Sequence, residues 1–396
     1  MRLHSRGIAC GVSKPALGRL TTVPIADRGT RQSYIIYGEP DALTKFEDYE
    51  GYAAALCKGD FGGSPIPLPV VESVRDLDWL GDGDVVHLRP DGSLNVLFRR
   101  SSRHNTILAT ERCNSRCLMC SQPPRNIDDS YRAQLVLRLI ELIDPSADQV
   151  TLSGGEPTLL GDRFIEIAAK FARALPNTAL HVLSNARLFK DAAFAQQLAA
   201  VNHPDLVLGI PLYSDVDTIH DFVVQAQGAF FDTIEGLYNL AERGLRLEIR
   251  IVLTQQTYQR LPQWAEFVYR NFPFVEHVAL MGLEPVGLAK ANHSDVWIDP
   301  ARYSRQLEEA ALALALRGMN VSVYNHQLCV LPRSLWPYAV RSISDWKNVY
   351  HQDCGCCGAR SYCGGFFESA LERDGMRPTP VGPLSSEAEA HLKARV

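Results

Sequence analysis

Thr110-Glu111-Arg112-Cys113-Asn114-Ser115-Arg116-Cys117-Leu118-Met119-Cys120 gathers three of the chain's ten cysteines into one loop, with three residues and then two between them. Thiolates at that spacing can converge from a single loop onto three irons of a four-iron cluster, which leaves the fourth iron without a protein ligand. A zinc site would recruit a fourth Cys or His close by, and neither residue follows Cys120 for the next fifty positions. The loop is read as the seat of a cluster with one open iron; a structural zinc loop or unrelated buried thiols are the plainer alternative.

The residues around the loop alternate between strand-like and helix-like patterns. A strand at 106–110 delivers the cysteines, and Tyr131, Leu135, Leu139 and Ile143 then recur at helical spacing. A second strand, 149–153, is followed by a helix marked by Phe164, Ile167, Ala168, Phe171 and Leu175. Further strands are expected at 179–184, 205–212, 245–253 and 277–281. Strands alternating with amphipathic helices point to an α/β fold on a parallel sheet, here a partial (β/α)6 barrel over 105–285. Chemistry in such barrels gathers at the carboxyl ends of the strands.

Before the barrel, residues 1–104 hold short β-like runs separated by Gly, Pro and Asp, with a hairpin turn at Asp91-Gly92. They form a small mixed domain, and its first 25 residues, with scattered Arg and Lys, are read as a flexible arm. The domain either binds a peptide or covers one end of the barrel. Cys10 and Cys57 lack partner spacing and are read as ordinary thiols. Residues 286–370 form a cysteine-rich region, with a helix at 300–317 and a strand at 321–324, and 371–396 form a flexible tail.

Several polar groups fall at strand ends. Gly154-Gly155-Glu156-Pro157 ends the second strand, Ser184-Asn185 the third, Ser214-Asp215 the fourth and Glu284-Pro285 the sixth. Each has a plain reading as a turn or helix cap. Arg250 lies inside the apolar run 247–253, where a guanidinium needs an anion, supplied either by a ligand or by a structural carboxylate. Glu284 is the candidate catalytic carboxylate, for substrate contact or proton transfer.

With these residues in view, the chain resembles the radical S-adenosylmethionine (SAM) enzymes. The resemblance implies a [4Fe-4S] cluster on Cys113, Cys117 and Cys120, SAM on its open iron, and reductive cleavage to a 5′-deoxyadenosyl radical. It also implies SAM contacts from Gly154, Gly155 and Glu156, from Ser184 and Asn185, and from Ser214 and Arg250. Met119 stands where that family often has an aromatic residue, and its thioether can pack against adenine instead.

A second cysteine set, Cys354, Cys357 and Cys363 with Cys329 upstream, resembles the auxiliary-cluster extensions, SPASM or twitch, of radical SAM peptide maturases. It implies a second [4Fe-4S] cluster, although zinc accepts the same four sulfurs. Cys356 is left outside the ligand set. Residues 113–125, 183–189, 282–287, 342–348 and 363–367 are similar to HxsC, the maturase family of His-Xaa-Ser peptide systems. That similarity implies modification of a ribosomally made His-Xaa-Ser repeat peptide beside a second radical SAM maturase. An electron donor such as flavodoxin or ferredoxin is implied as well.

Composition narrows the partners. An apolar fraction of 46%, 21% charged residues and a net charge of −5 describe a soluble protein with no overall attraction for nucleic acid or acidic membrane. No run reaches the length of a membrane span, and the N-terminus lacks the apolar core of a signal peptide, so a cytoplasmic location is expected. Two other readings share the cysteines: a radical SAM enzyme acting on RNA or a small metabolite, and a non-enzymatic zinc or iron–sulfur scaffold.

Overall fold

The computed structural model describes residues 3–61, 66–74, 77–341, 349–371, 378–385, 389 and 392. Its strands form two eight-stranded sheets. The first is built from β1 (His4–Arg6), β2 (Ile8–Cys10), β3 (Ala16–Thr21), β4 (Tyr34–Gly38), β5 (Ala54–Cys57), β6 (Val70–Glu72), β7 (Val85–Leu88) and β8 (Ser93–Phe98), in the order β1-β8-β7-β3-β4-β5-β6-β2. Because β1 and β2 are consecutive pieces of one arm, the sheet returns on itself: His4–Arg6 pairs with β8 at one end of the order and Ile8–Cys10 with β6 at the other. Gly7 joins them, and a Cβ there would lie 2.3 Å from the Glu72 carbonyl oxygen. The first residues are thus the closing strands of a barrel and not a flexible arm. The β7–β8 hairpin turns at Asp91-Gly92, with Gly92 at φ +77°.

The second sheet is parallel throughout. It runs β9 (Asn105–Leu108), β10 (Gln149–Ser153), β11 (Ala179–Leu183), β12 (Leu206–Pro211), β13 (Arg246–Leu253), β14 (His277–Gly282), β15 (Val321–Tyr324) and β16 (Ala339–Val340), in chain order. On β13 one face is an apolar row, Leu247, Ile249, Ile251 and Leu253, while Glu248, Arg250 and Val252 alternate with it on the other face. The helix Asp162–Ala174 buries Phe164, Ile167, Ala168 and Phe171 at i, i+3, i+4 and i+7 and leaves its other side to water. The six expected strands are present, and β15 and β16 continue the same sheet past residue 285, so the core does not stop there.

The N-terminal barrel sits against the core through Val85 and Phe98, which belong to the core's apolar cluster. Arg19 donates to the carbonyls of Leu142 and Glu141, at 2.7 and 3.1 Å. No helix among the described residues is long and apolar enough to cross a membrane. Of the stretches compared above, 342–348 lies outside the described residues, as does much of the tail beyond 371. The described piece 378–385 touches the cysteine-rich region, with Gly358 N donating to the Val381 carbonyl at 2.8 Å.

Candidate active site

The cysteine loop leaves β9 and is held from four sides. Asp129, fully buried, accepts from Thr110 Oγ1 at 2.9 Å and from Glu111 N at 2.5 Å. Arg116 N and Leu118 N donate to the carbonyls of Val224 and Val223, the end of the helix Asp217–Val224, at 2.9 Å each. Leu288 N donates to the Cys120 carbonyl at 2.8 Å and Asn292 Nδ2 to that of Leu118 at 2.9 Å. Gly287, at φ +60°, makes that approach possible, since a Cβ there would sit 2.4 Å from the Ser121 carbonyl oxygen. Asn185 Nδ2 reaches Asn114 Oδ1 at 2.6 Å, and Arg187 Nη1 reaches the Asn114 carbonyl at 2.6 Å.

Cys113, Cys117 and Cys120 all line one open cavity of about 730 Å³ at the carboxyl ends of the strands. Gly154, Gly155, Glu156, Ser184, Asn185, Arg250, Met119 and Glu284 line it too. Ser214 does not: its buried hydroxyl accepts from Val216 N at 3.1 Å and serves the turn into the next helix. Burial pushes the Cys113 thiol up to about 11 and Cys117 to about 12, and raises Cys120 as well. Such thiols ionise only as a metal replaces the proton. Three thiols around one cavity are the donor set a cluster with an open iron requires.

Two expected contacts turn out differently. Glu156 is buried, and its two oxygens accept from Thr158 N (3.1 Å), Thr158 Oγ1 (2.6 Å), Ser184 Oγ (2.8 Å) and Asn185 N (2.7 Å). Three of these donors meet Oε1 and one meets Oε2, so most of its acceptor capacity is spent within the protein while Oε2 keeps a place for one more donor. Glu156 therefore ties the end of β10 to the end of β11, and burial raises its pKa. The anion beside Arg250 is Glu248, 2.9 Å from Nη1, while Nη2 lies 3.3 Å from Met281 Sδ. Burial alone would raise Glu248, but the hydrogen bond from His277 and the charges of Arg250 and His181 hold it down at about 2.

The remaining cysteines ring a second, enclosed space. Cys329, Cys354, Cys357 and Cys363 line a small apolar cavity of about 20 Å³, and the exposed Cys356 does not. Backbone N–H groups point at its sulfurs: Val381 N at Cys357 Sγ (3.3 Å), and Gly365 N and Leu328 N at Cys363 Sγ (3.4 and 3.5 Å). Among the described residues no three His, Cys, Asp or Glu side chains converge on a single point as ligands of one ion would. In both sets the thiols stand around the wall of a cavity. The two linings draw on the same short segments: Asn325 and Phe367 face the larger cavity, and Gln327 and Phe366 face the smaller.

Arg187, Asn114, Gly287 and Phe367 belong to the site or its supports and were read only as members of longer stretches, while Asn292 and Tyr213 were not singled out from the sequence. An Arg two residues past a strand-end Asn was the one available signal.

Residues 107–268 match the family model described as Radical SAM superfamily, so this part of the chain is a radical SAM domain. The match covers less than half of the chain. Among curated proteins, the molybdenum cofactor biosynthesis protein moc-5 of Caenorhabditis elegans is 32% identical over 103 residues, 25% of this chain and 17% of that protein. Among solved structures, SuiB of Streptococcus suis aligns at 17% identity and a TM-score of 0.45, over 58% of this chain and 50% of its own. Coproporphyrinogen III oxidase (HemN) from Escherichia coli, described as a radical SAM enzyme, aligns at 15% identity and a TM-score of 0.41, over 54% and 52%. The chain spans about half the length of these solved relatives and about a sixth of the curated one.

Proposed function

We propose that the chain is a radical SAM maturase that modifies a ribosomally made His-Xaa-Ser repeat peptide. The observation that carries the reading is the pair of cysteine-lined cavities, whose linings draw on the same two short segments, Asn325 with Gln327 and Phe367 with Phe366. Cys113, Cys117 and Cys120 would hold the first [4Fe-4S] cluster, and Cys329, Cys354, Cys357 and Cys363 a second. When bound, the first supplies the electron that cleaves SAM to a 5′-deoxyadenosyl radical.

The chain's own residues then have definable tasks. Gly154 and Gly155 let the backbone approach SAM, Met119 packs beside adenine, and Arg250 presents its remaining N–H donors to an anionic group in the cavity. Glu156, Ser184 and Asn185 fix the two strand ends, which makes them positioning residues. Glu284 lines the mouth and would contact substrate or move a proton there. Phe367 and Asn325, which line the larger cavity, would face substrate. A flavodoxin or ferredoxin would serve as electron donor, and a second radical SAM maturase would work beside this one.

The test is anaerobic reconstitution followed by assay for 5′-deoxyadenosine, with and without replacement of Cys113, Cys117 and Cys120 by Ala. Co-expression with a His-Xaa-Ser-rich peptide should then give a mass change confined to the repeat region and absent with Cys113→Ala. Retained 5′-deoxyadenosine production by the triple variant refutes the site. An unmodified peptide under conditions where SAM is cleaved refutes the substrate.

A further inference from the structure

The N-terminal barrel meets the first core helix, Tyr131–Ile140. Near the helix C-terminus they are pinned by Arg19 on the Leu142 and Glu141 carbonyls and by Arg100 on Asp144, at 2.7 Å. Along the helix from Tyr131 to Arg138 a groove of about 590 Å³ lies between them. Its barrel side follows from strand register: Leu17 lies opposite His87, and Arg89, two residues further on, projects to the same face. Its helix side is the i, i+4, i+7 row of Tyr131, Leu135 and Arg138.

The groove has an apolar floor and a cationic rim. Leu17 and Leu135 are half-buried, and Tyr131 is 51% exposed. No carboxylate lines it. Arg19, Arg100 and Arg132 nearby are all engaged, Arg132 with Glu111. By contrast Arg89 and Arg138 have no side-chain hydrogen bond or ion pair among the described residues. Asp91, within Coulomb reach of Arg89, gives its carboxylate to Ser93 Oγ at 2.6 Å. His87 is held neutral, at about 4, by burial and by the charges of Arg89 and Arg132, so it adds no charge of its own.

The groove also lies close to the catalytic cavity. Leu3 lines that cavity and pairs with Val96 of β8, while Leu17 lies on β3, three strands away in the order β1-β8-β7-β3. At the usual strand spacing the separation is on the order of 15 Å, which an extended chain covers in about five residues. Two cations over an apolar floor suit carboxylates interleaved with apolar side chains. A polyanion such as RNA would need a longer cationic stripe than two arginines, on a chain whose net charge is −5.

We propose that this groove binds an acidic, apolar-containing segment of the peptide substrate, lying outside the modified region and about five residues or more from it. The proposal rests on the peptide-substrate reading above, and the experiment separates the two. Binding to the reconstituted full chain is followed by fluorescence anisotropy with a fluorescein-labelled peptide of about twelve residues alternating Glu and Leu. A Lys–Leu peptide is the control, and the co-expressed His-Xaa-Ser peptide is the second ligand.

Wild type should bind the Glu–Leu probe and not the Lys–Leu one. The Arg89→Glu, Arg138→Glu double variant should bind the probe and the full peptide at least about thirtyfold more weakly. An Arg89→Gln, Arg138→Gln variant should show an intermediate loss that shrinks with added salt. SAM cleavage by these variants should be unchanged, and Cys113→Ala should bind the full peptide normally. Binding within threefold of wild type in the double variant overturns the proposal, as does displacement of the probe by RNA of equal charge at equal concentration. If wild type binds the acidic probe but no His-Xaa-Ser peptide, the substrate reading fails while the groove's preference for acidic segments stands.

Discussion

Replacing Gly155 with Ala tests whether the turn after β10 and the cysteine loop are one mechanical unit. The backbone at Gly155 is one that any residue can adopt, so the substitution adds no conformational strain; it adds a collision. The new Cβ would stand 2.1 Å from the Arg112 carbonyl oxygen and 3.1 Å from Cys113 Cβ. Ordinary contact requires roughly 3.2 Å or more, so the two segments must part by about 1 Å. That stretches the Gly155 N to Thr110 O and Glu156 N to Arg112 O hydrogen bonds, both 2.8 Å, beyond useful length. Two lost hydrogen bonds at about 1 kcal/mol each, with about 1–3 kcal/mol of overpacking, make a cost of about 3–5 kcal/mol. Part of it should be relieved by displacing Cys113. Iron per chain after anaerobic reconstitution should therefore fall by the share of the first cluster, and the melting temperature should drop. Gly161→Ala is the control: at φ +57° it introduces strain, about 1–2 kcal/mol, with nothing within 4 Å to collide with. It should lower the melting temperature and keep the iron. Wild-type iron content in Gly155→Ala, or an equal loss in Gly161→Ala, would refute the coupling.

Burial holds His87, His220 and His326 down at about 4, against an ordinary 6.5. Each stays neutral in the folded chain and protonates on unfolding, so its contribution, about 3 kcal/mol, is complete above pH 6.5 and lost as pH falls towards 4. Melting temperature should be flat from pH 7 to 8 and fall steeply below 6.5, and a profile flat down to pH 5 would contradict these assignments. Arg187→Lys keeps one charge but cannot serve Asn114 and both bonds to Asp232 (3.2 and 3.1 Å) together, so iron retention on dilution should worsen several-fold. Cys356→Ser should leave total iron unchanged, while Ser at Cys357 or Cys363 should lower it; iron loss with Cys356→Ser would redraw the second ligand set. Glu156→Gln places an amide against donors that need an acceptor and should cost about 2–3 kcal/mol in a denaturant titration.

The six strands of the core were legible because each is a run of four to eight residues rich in Val, Ile and Leu between turn signals, and on β13 the apolar residues recur at every second position. The closing strands of the N-terminal barrel were not. β1 and β2 have three residues each, too few for alternation to register, and their partners lie beyond residue 69. The cysteine spacing is local, so the loop could be read directly. The direction of Glu156 depends on Ser184 and Asn185, 28 and 29 positions away, and Arg187 clamps a carbonyl 73 positions back. Such contacts are set by the fold, which no window of sequence contains. Ser214 carried a cap and a ligand reading in one hydroxyl, and the Val216 N–H that it accepts favours the cap.

The barrel that returns on its own first residues also sets an order of events during synthesis. Residues 4–10 leave the ribosome before β6 and β8, yet they can pair only with those two strands, the second of which ends at Phe98. At ordinary translation speeds that interval is roughly 5–20 s. β2 can pair with β6 once residue 72 is out, but until the interval ends β1 has no partner and β7 has an unpaired edge, a state open to pairing with other chains. A fragment ending before residue 93 lacks β8 and would keep β1 unpaired and the β7 edge open, so nascent chains stalled there should crosslink to holdase chaperones far more than chains stalled well past Phe98.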